Sequence, residues 1–509
     1  MRTALRARSR PAPIAAATAA AAALALLPAA QRRAAADITG FDAFAPINET
    51  RDDLSTTTYN GYYADPDNGG TMFQVTASGI SGQAVSGFAT TRQDATNFVA
   101  KYTYLATGGS ADAVGFVIQN DTRGLTARGN GGGDAGFSGP AGAGVKPGVG
   151  YFISPYYANA DGTLKGATAI SVDAAVGKSY FYNGAVNTRD NHPVDVAISY
   201  SAAAGTMFIK LTDVATGATY YRSDSVDVPT AIAGTTGYVG FTGGTGGATA
   251  TQKVSKFTFD SRPAPTGTAY APIGVTGFTK DVIVEAGATS MAAAVTARFD
   301  ASNRWGLFQK GQNAANPTAG LPLDGVVTSS ATDATHTFRL ASAAGNNAIQ
   351  LNGSTPAGTL VLTDPVAYTG LSILASTGNG SGAFDVRVVH SNGAPDEVVS
   401  MVIAPDWFNR GGYAMTGGGR VRENSTTGAF EYDNLNAANP RLYQQDVPLT
   451  DTTSPISRLE MTYVAGAGDT FVFGVSGVPT FPVPEPASAG LLAAGGLAAL
   501  GRRRRGRAS

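Results

Sequence analysis

The chain has no cysteine, and only three histidines and two tryptophans among its 509 residues. Without cysteine there is no disulfide and no thiolate metal site. His192, His336 and His390 lie far apart, and none has metal-ligand spacing. There is no G-x-S-x-G elbow and no phosphate-binding loop with its lysine. Charge is scarce: Asp, Glu, Lys and Arg make up 14% of the chain, against roughly 25% in ordinary globular domains. The formal net charge is −1. That excludes an electrostatic case for nucleic acid or an anionic lipid surface as partner. Between the two ends no stretch keeps a helical period.

Glycine is abundant instead, with 65 residues. Short apolar runs alternate with turn clusters along the whole interior, and the length leaves room for more than one core. Strands are expected at residues 86–91, 98–104, 111–120, 150–155, 194–200, 206–211, 218–222, 237–242 and 254–259. Many short strands at this spacing predict an all-β sandwich. The stretch 260–268 (DSRPAPTGT) is proline-rich and semi-extended, and 261–268 reads as a linker. A second strand-rich block follows at 269–479. Its expected strands are 275–284, 294–299, 337–340, 359–362, 371–374, 384–389, 398–403, 459–463 and 470–475. The fold class is therefore all-β, with two β-sandwich domains at 37–260 and 269–479. Trp305 and Trp407 both fall in the second block. Core anchoring is the expected role, with an exposed sugar-stacking platform as the alternative.

The ends differ from the interior. Arg2, Arg6, Arg8 and Arg10 precede an Ala/Leu-rich run over 11–30. A basic start, an apolar middle and a small-residue exit read as a signal peptide over 1–36, cut after Ala30 or within 34–36. At the other end Pro484, Glu485 and Pro486 precede a small-residue apolar run over 487–501, then Arg502, Arg503, Arg504 and Arg505. The run is short against the roughly 20 residues of a full span, and the arginines favour the cytoplasmic side. This order resembles the PEP-CTERM sorting signal of bacteria, here over 480–509. The resemblance implies an apolar sorting helix that enters the membrane transiently. It also implies cleavage by an exosortase-type enzyme and delivery to the cell surface or extracellular matrix. The mature chain would run over about 37–486.

The central stretch is 111–120, ADAVGFVIQN, with the glycine-rich loop that follows it. Val114, Phe116 and Ile118 share one face, with Gly115 and Val117 on the other, as in a strand buried on both sides. Asp112 stands where that strand begins. An acid at the rim of a buried strand faces a site or forms a turn with its own backbone.

In order, 98–104 (FVAKYTY), 111–120, the 131–137 loop, 237–247 (GYVGFTGGTGG) and 254–259 (VSKFTF) resemble the L-type, or legume-type, lectins. Phe257 stands where that family's ending usually has tryptophan. The resemblance implies a concanavalin-like jelly roll for the first block. It also implies non-covalent binding of a polysaccharide or other glycan at a rim of loops. On this basis Asp112 follows a cis peptide bond and accepts hydrogen bonds from sugar hydroxyls. Gly132 or Gly133 offers a backbone N–H, Tyr156 stacks on the sugar, and Gly247 and Ala248 tune specificity. Asn159 falls one place beyond the family's asparagine position.

The family's metal strand carries Glu and Asp at alternate positions, where this chain has Phe152 and Ser154. Asp161 matches one calcium ligand, and no histidine follows at the second-metal position. Calcium takes six to eight oxygens, so the two-metal centre is expected to be lost or reduced, and with it the usual support for Asp112. No other cofactor is implied.

Two other readings are open. One is a structural or adhesive surface protein that keeps the fold without the site. The other is a polysaccharide hydrolase on the same jelly roll, which needs paired carboxylates. The E-x-D-x-x-E strand motif is absent. Glu423 and Glu431 flank a turn-rich stretch and read as solvated acids, so no enzyme is expected.

Overall fold

The computed structural model describes residues 38–480, apart from 51–55, 60, 67–69, 141, 159–161, 164, 175–177, 263–268, 332–335, 409–411, 434 and 436–437. The signal stretch, the Pro484–Glu485–Pro486 motif and Arg502 to Arg505 lie outside the described residues. Among those described, no helix is long and apolar enough to cross a membrane.

Two antiparallel sheets form the first sandwich. The front sheet runs Phe181–Tyr182, Lys165–Val172, Gly148–Ala158, Ala113–Gln119, Thr236–Gly244, Ala84–Phe88, Ile47–Thr50, Thr56–Tyr59. The back sheet runs Thr219–Ser225, Thr206–Asp213, Val194–Ser201, Asn97–Thr107, Thr251–Ser261, Thr71–Thr76, Tyr62–Ala64. The chain crosses repeatedly between the two sheets, as a jelly roll does. Side chains alternate faces along each strand, and this sets the core. Val114, Phe116 and Ile118 face the back sheet and meet Tyr102, Ile198 and Phe259 in one buried cluster. Phe257 sits in that cluster, with its ring 5.0 Å from Phe241 and 5.8 Å from Phe41. Each ring so buried contributes about 2 kcal/mol of apolar transfer.

Val117, on the other face of the Ala113–Gln119 strand, packs against a third layer. The loop over 120–147 folds across the front sheet, and Ala127, Ala135, Phe137 and Val145 join Val117 and Phe152 there. That explains why the strand is apolar on both faces. Asp121 and Arg123 pin the loop. Arg123 makes two bonds to the Asp121 carboxylate, at 2.9 and 2.7 Å, and donates to the carbonyls of Arg128 and Gly144.

The second sandwich pairs a six-stranded sheet with a five-stranded one. The first runs Ala271–Pro272, Asp469–Pro479, Tyr368–Gly378, Arg441–Pro448, Met415–Thr416, with Ile349–Leu351 also on Asp469–Pro479. The second runs Val275–Thr276, Ala357–Leu362, Ile456–Gly466, Gly382–His390, Glu397–Ala404. Some expected strands differ. Residues 275–284 hold two short strands, Val275–Thr276 and Ile283–Val284, rather than one. Residues 294–299 form no strand; Ala294 ends a four-residue helix, Met291–Ala294, that the Ser290 side chain caps. Trp305 and Trp407 are both buried and serve as core anchors. Two residues of the expected linker behave otherwise: Ser261 ends a strand, and the Arg262 N–H donates to the Asn97 carbonyl.

The five-stranded sheet covers the outer face of the back sheet. Val99 and Phe208 pack on Ala383, Met401, Ile403 and Ala465. Ser199 donates to the Met401 carbonyl at 2.7 Å and Lys101 to Ser400 at 3.0 Å. Part of one face of the first sandwich is thus covered within the chain.

Candidate functional site

Asp112 stands just before the strand Ala113–Gln119, after a cis peptide bond. Two groups hold that bond from outside, and a third holds the next peptide. The Asp112 N–H donates to the Gly244 carbonyl at 3.0 Å. Gln252 donates to the Ala111 carbonyl at 3.3 Å, while its own amide oxygen accepts from Tyr104 at 2.9 Å. Ser154 donates its hydroxyl to the Asp112 carbonyl at 2.6 Å. The Ala111–Asp112 peptide thus has hydrogen bonds from the protein at both its N–H and its carbonyl. Ser154, read from the sequence only as a missing metal acid, holds the carbonyl of the peptide that follows.

The Asp112 side chain is half-buried. Burial raises its pKa above the ordinary carboxylate range, and the Gly246 N–H pulls it part of the way down. Its Oδ2 is shielded from solvent and has no hydrogen-bond partner among the described residues. A carboxylate oxygen left this way is costly to the fold. A Cβ on Gly246 would lie 3.0 Å from that oxygen, so glycine allows the backbone to approach it.

The glycine loop meets Asp112 from the side. Gly132 adopts φ +61, which favours glycine, and its N–H donates to the Thr245 carbonyl at 2.8 Å. That N–H is engaged by the protein, which leaves Gly133 of the two positions offered for a sugar donor. Gly133 is exposed, with open space where a Cβ would stand. Lys178 holds the loop from below. Its ammonium donates to the Gly133 and Asp134 carbonyls at 3.1 and 3.0 Å and to the Ser138 hydroxyl at 2.9 Å.

Gly247 and Ala248 are exposed in the bend just after Gly246. Tyr156 is 55% and Tyr157 39% exposed, with ring centroids 5.7 Å apart. Tyr157 in turn packs on Tyr180 at 4.5 Å. Burial raises the Tyr157 and Tyr180 hydroxyl pKa values first, and the nearby Asp112 charge adds to both. The structure thus brings Asp112, Gly132, Gly133, Gly247 and Ala248 to one rim, with Tyr156 carried on the strand that supplies Ser154. Asn159 and Asp161 lie outside the described residues.

Several neighbours escaped the sequence reading. Tyr157 had a signal, since it adjoins Tyr156. Gly246 had one too, inside the glycine run of 243–247. Gln252 and Lys178 had none, because their partners lie far off in sequence.

No carboxylate pair suited to hydrolysis emerges at Glu423 and Glu431. Glu423 accepts the Met291 N–H at 3.0 Å, and Glu431 is bound by Arg422 at 2.8 Å and by Asn424. Among the described residues there is no group of three or more His, Asp or Glu side chains placed to hold a metal ion.

No family model and no curated protein matches the chain. Solved structures similar to it are legume lectins. Lectin II from Ulex europaeus is 18% identical, covering 45% of this chain and 98% of its own, with a TM-score of 0.34. The lectin from Bauhinia forficata, solved in complex with GalNAc, is 16% identical over 45% of this chain and 100% of its own, with a TM-score of 0.33. Arcelin-5, a lectin-like defense protein from Phaseolus vulgaris, is 13% identical over 44% and 94%, with a TM-score of 0.32.

Proposed function

We propose that the first sandwich binds carbohydrate non-covalently at the rim around Asp112. The observation that carries this is the Asp112 carboxylate, half-buried, with Oδ2 unpartnered among the described residues. A carboxylate accepts hydroxyl hydrogens, and exposed tyrosine rings cover the C–H face of a pyranose. Tyr156 and Tyr157 are the rings for that role, with Gly133, Gly247 and Ala248 as the exposed backbone around it. The sparse charge of the chain fits a neutral, hydroxyl-rich ligand. Polysaccharide or surface glycan is the expected partner.

Display outside the cell belongs to the same proposal. The basic and apolar start, and the Pro484–Glu485–Pro486, apolar run and Arg502 to Arg505 order, support export and processing by an exosortase-type enzyme. Mass spectrometry of the surface fraction tests it: the proposal expects a chain cut near both ends. The sugar reading is tested on a glycan array with the purified exported chain and its Asp112→Asn variant. Retention by the first and not the second supports it, and retention by neither overturns it.

A further inference from the structure

The lectin resemblance implies calcium beside the Asp112 loop, and the described residues there do not fit one. Calcium takes six to eight oxygens, several from carboxylates. The strand positions that would provide them hold Phe152 and Ser154. The Phe152 ring is fully buried and packs on Phe137 at 5.3 Å. The Ser154 hydroxyl is engaged with the Asp112 carbonyl. The Lys178 ammonium stands 4.7 Å from the centre of the Phe152 ring, where its positive charge repels a divalent ion.

Lys178 is itself placed as a cation would be. An ammonium offers three N–H donors and no acceptor, and Nζ has three oxygens within 3.1 Å: the Gly133 and Asp134 carbonyls and the Ser138 hydroxyl. The face of Phe152 closes the remaining side, a favourable cation–π arrangement. All three oxygens belong to the loop that borders Asp112, where a Cβ on Gly132 would lie 3.8 Å from the carboxylate. Asp134, on that loop, is the charged group facing the ammonium. Burial lowers the Lys178 pKa to about 8, and Asp134 opposes that shift.

We propose that the Lys178 ammonium is a built-in cation for this rim, ordering the 129–138 loop from within so that the site around Asp112 keeps its shape without calcium. The effect on the site rests on the sugar reading; the ordering of the loop does not. Lys178 is a positioning residue, acting through the loop rather than on the ligand.

Hydrogen exchange on the full exported chain tests the loop without any sugar. Protection over 129–138 is expected to be the same in calcium and in EDTA. It is expected to fall about tenfold in Lys178→Met, with the strand Ala113–Gln119 unchanged, and to return in Lys178→Arg. Loop protection that rises with calcium, persists in Lys178→Met, or fails to return in Lys178→Arg overturns the proposal. If Lys178→Met does not fold, the comparison of wild type and Lys178→Arg across calcium and EDTA still decides. On a glycan retained by wild type, EDTA is expected to change nothing and Lys178→Met to weaken retention about fivefold. A protein that retains no glycan but shows the expected loop protection sinks the sugar reading and leaves the built-in cation standing.

Discussion

The hydroxyl of Ser154 donates to the main-chain carbonyl of Asp112 at 2.6 Å. This bond ties the strand Gly148–Ala158 to the residue just before the neighbouring strand Ala113–Gln119, and it does so where the lectin resemblance calls for a metal-binding acid. Removing it leaves a shielded carbonyl without its donor, which costs about 1–3 kcal/mol. Ser154→Ala is therefore expected to lower the melting temperature by several degrees and to weaken glycan retention about tenfold. Calorimetry and a binding titration on the same sample check both. An unchanged affinity would separate Ser154 from the site.

Asp112→Asn removes charge while keeping shape. Burial raises the Asp112 pKa, so the folded state binds a proton more tightly than the unfolded chain does. The ionised carboxylate then costs stability above its unfolded pKa, and that cost disappears as pH falls. The variant is expected to be as stable as wild type or more so at neutral pH, and to bind no glycan. In wild type, binding is expected to fade on acidification at a pH above the ordinary carboxylate range, because the protonated acid loses acceptor strength. A pH titration of retention reads this directly.

Asp121 predicts the opposite sign. Burial alone would raise its pKa, but the Arg123 guanidinium and the N–H groups of Lys146 and Arg123 outweigh burial and hold it below the ordinary range. Its stabilisation is present above the unfolded carboxylate pKa and is lost as pH falls through the lowered folded value. Urea melts from about pH 2 to about pH 7 should show a slope that Asp121→Asn flattens. The variant should also release the 120–147 loop, read as faster hydrogen exchange there. An unchanged slope would contradict the role given to this pair.

Phe208 probes the contact between the sandwiches. It is fully buried and faces Met401 and Ile403 across the join. Phe208→Ala is expected to cost about 3–5 kcal/mol. It is also expected to split one melting transition into two, since it loosens the contact more than either core. A single transition, shifted as a whole, would mean that the sandwiches unfold as one unit.

How far all this could be read from residues alone depended on the range of the interaction. Alternation along 98–104 and the two-sided burial of 111–120 gave strands and faces correctly, because those signals are local. The stretch 294–299 looked like a strand by composition, but the cap at Ser290 starts a helix at Met291 and the chain then leaves the sheet. Asp112 was legible through its place in an ordered set of segments. Lys178 was not, since it meets Gly133, Asp134 and Ser138 across 40 to 45 positions. Ser154 was read as an absence, when its hydroxyl reaches Asp112 across 42 positions. Long-range contacts leave no periodicity behind.

Glycan retention by wild type and Asp112→Asn, measured side by side in calcium and in EDTA, tests the central claim most directly. Wild type is expected to be retained at equal strength in both buffers and the variant not at all. Retention by the variant matching that of wild type would contradict it.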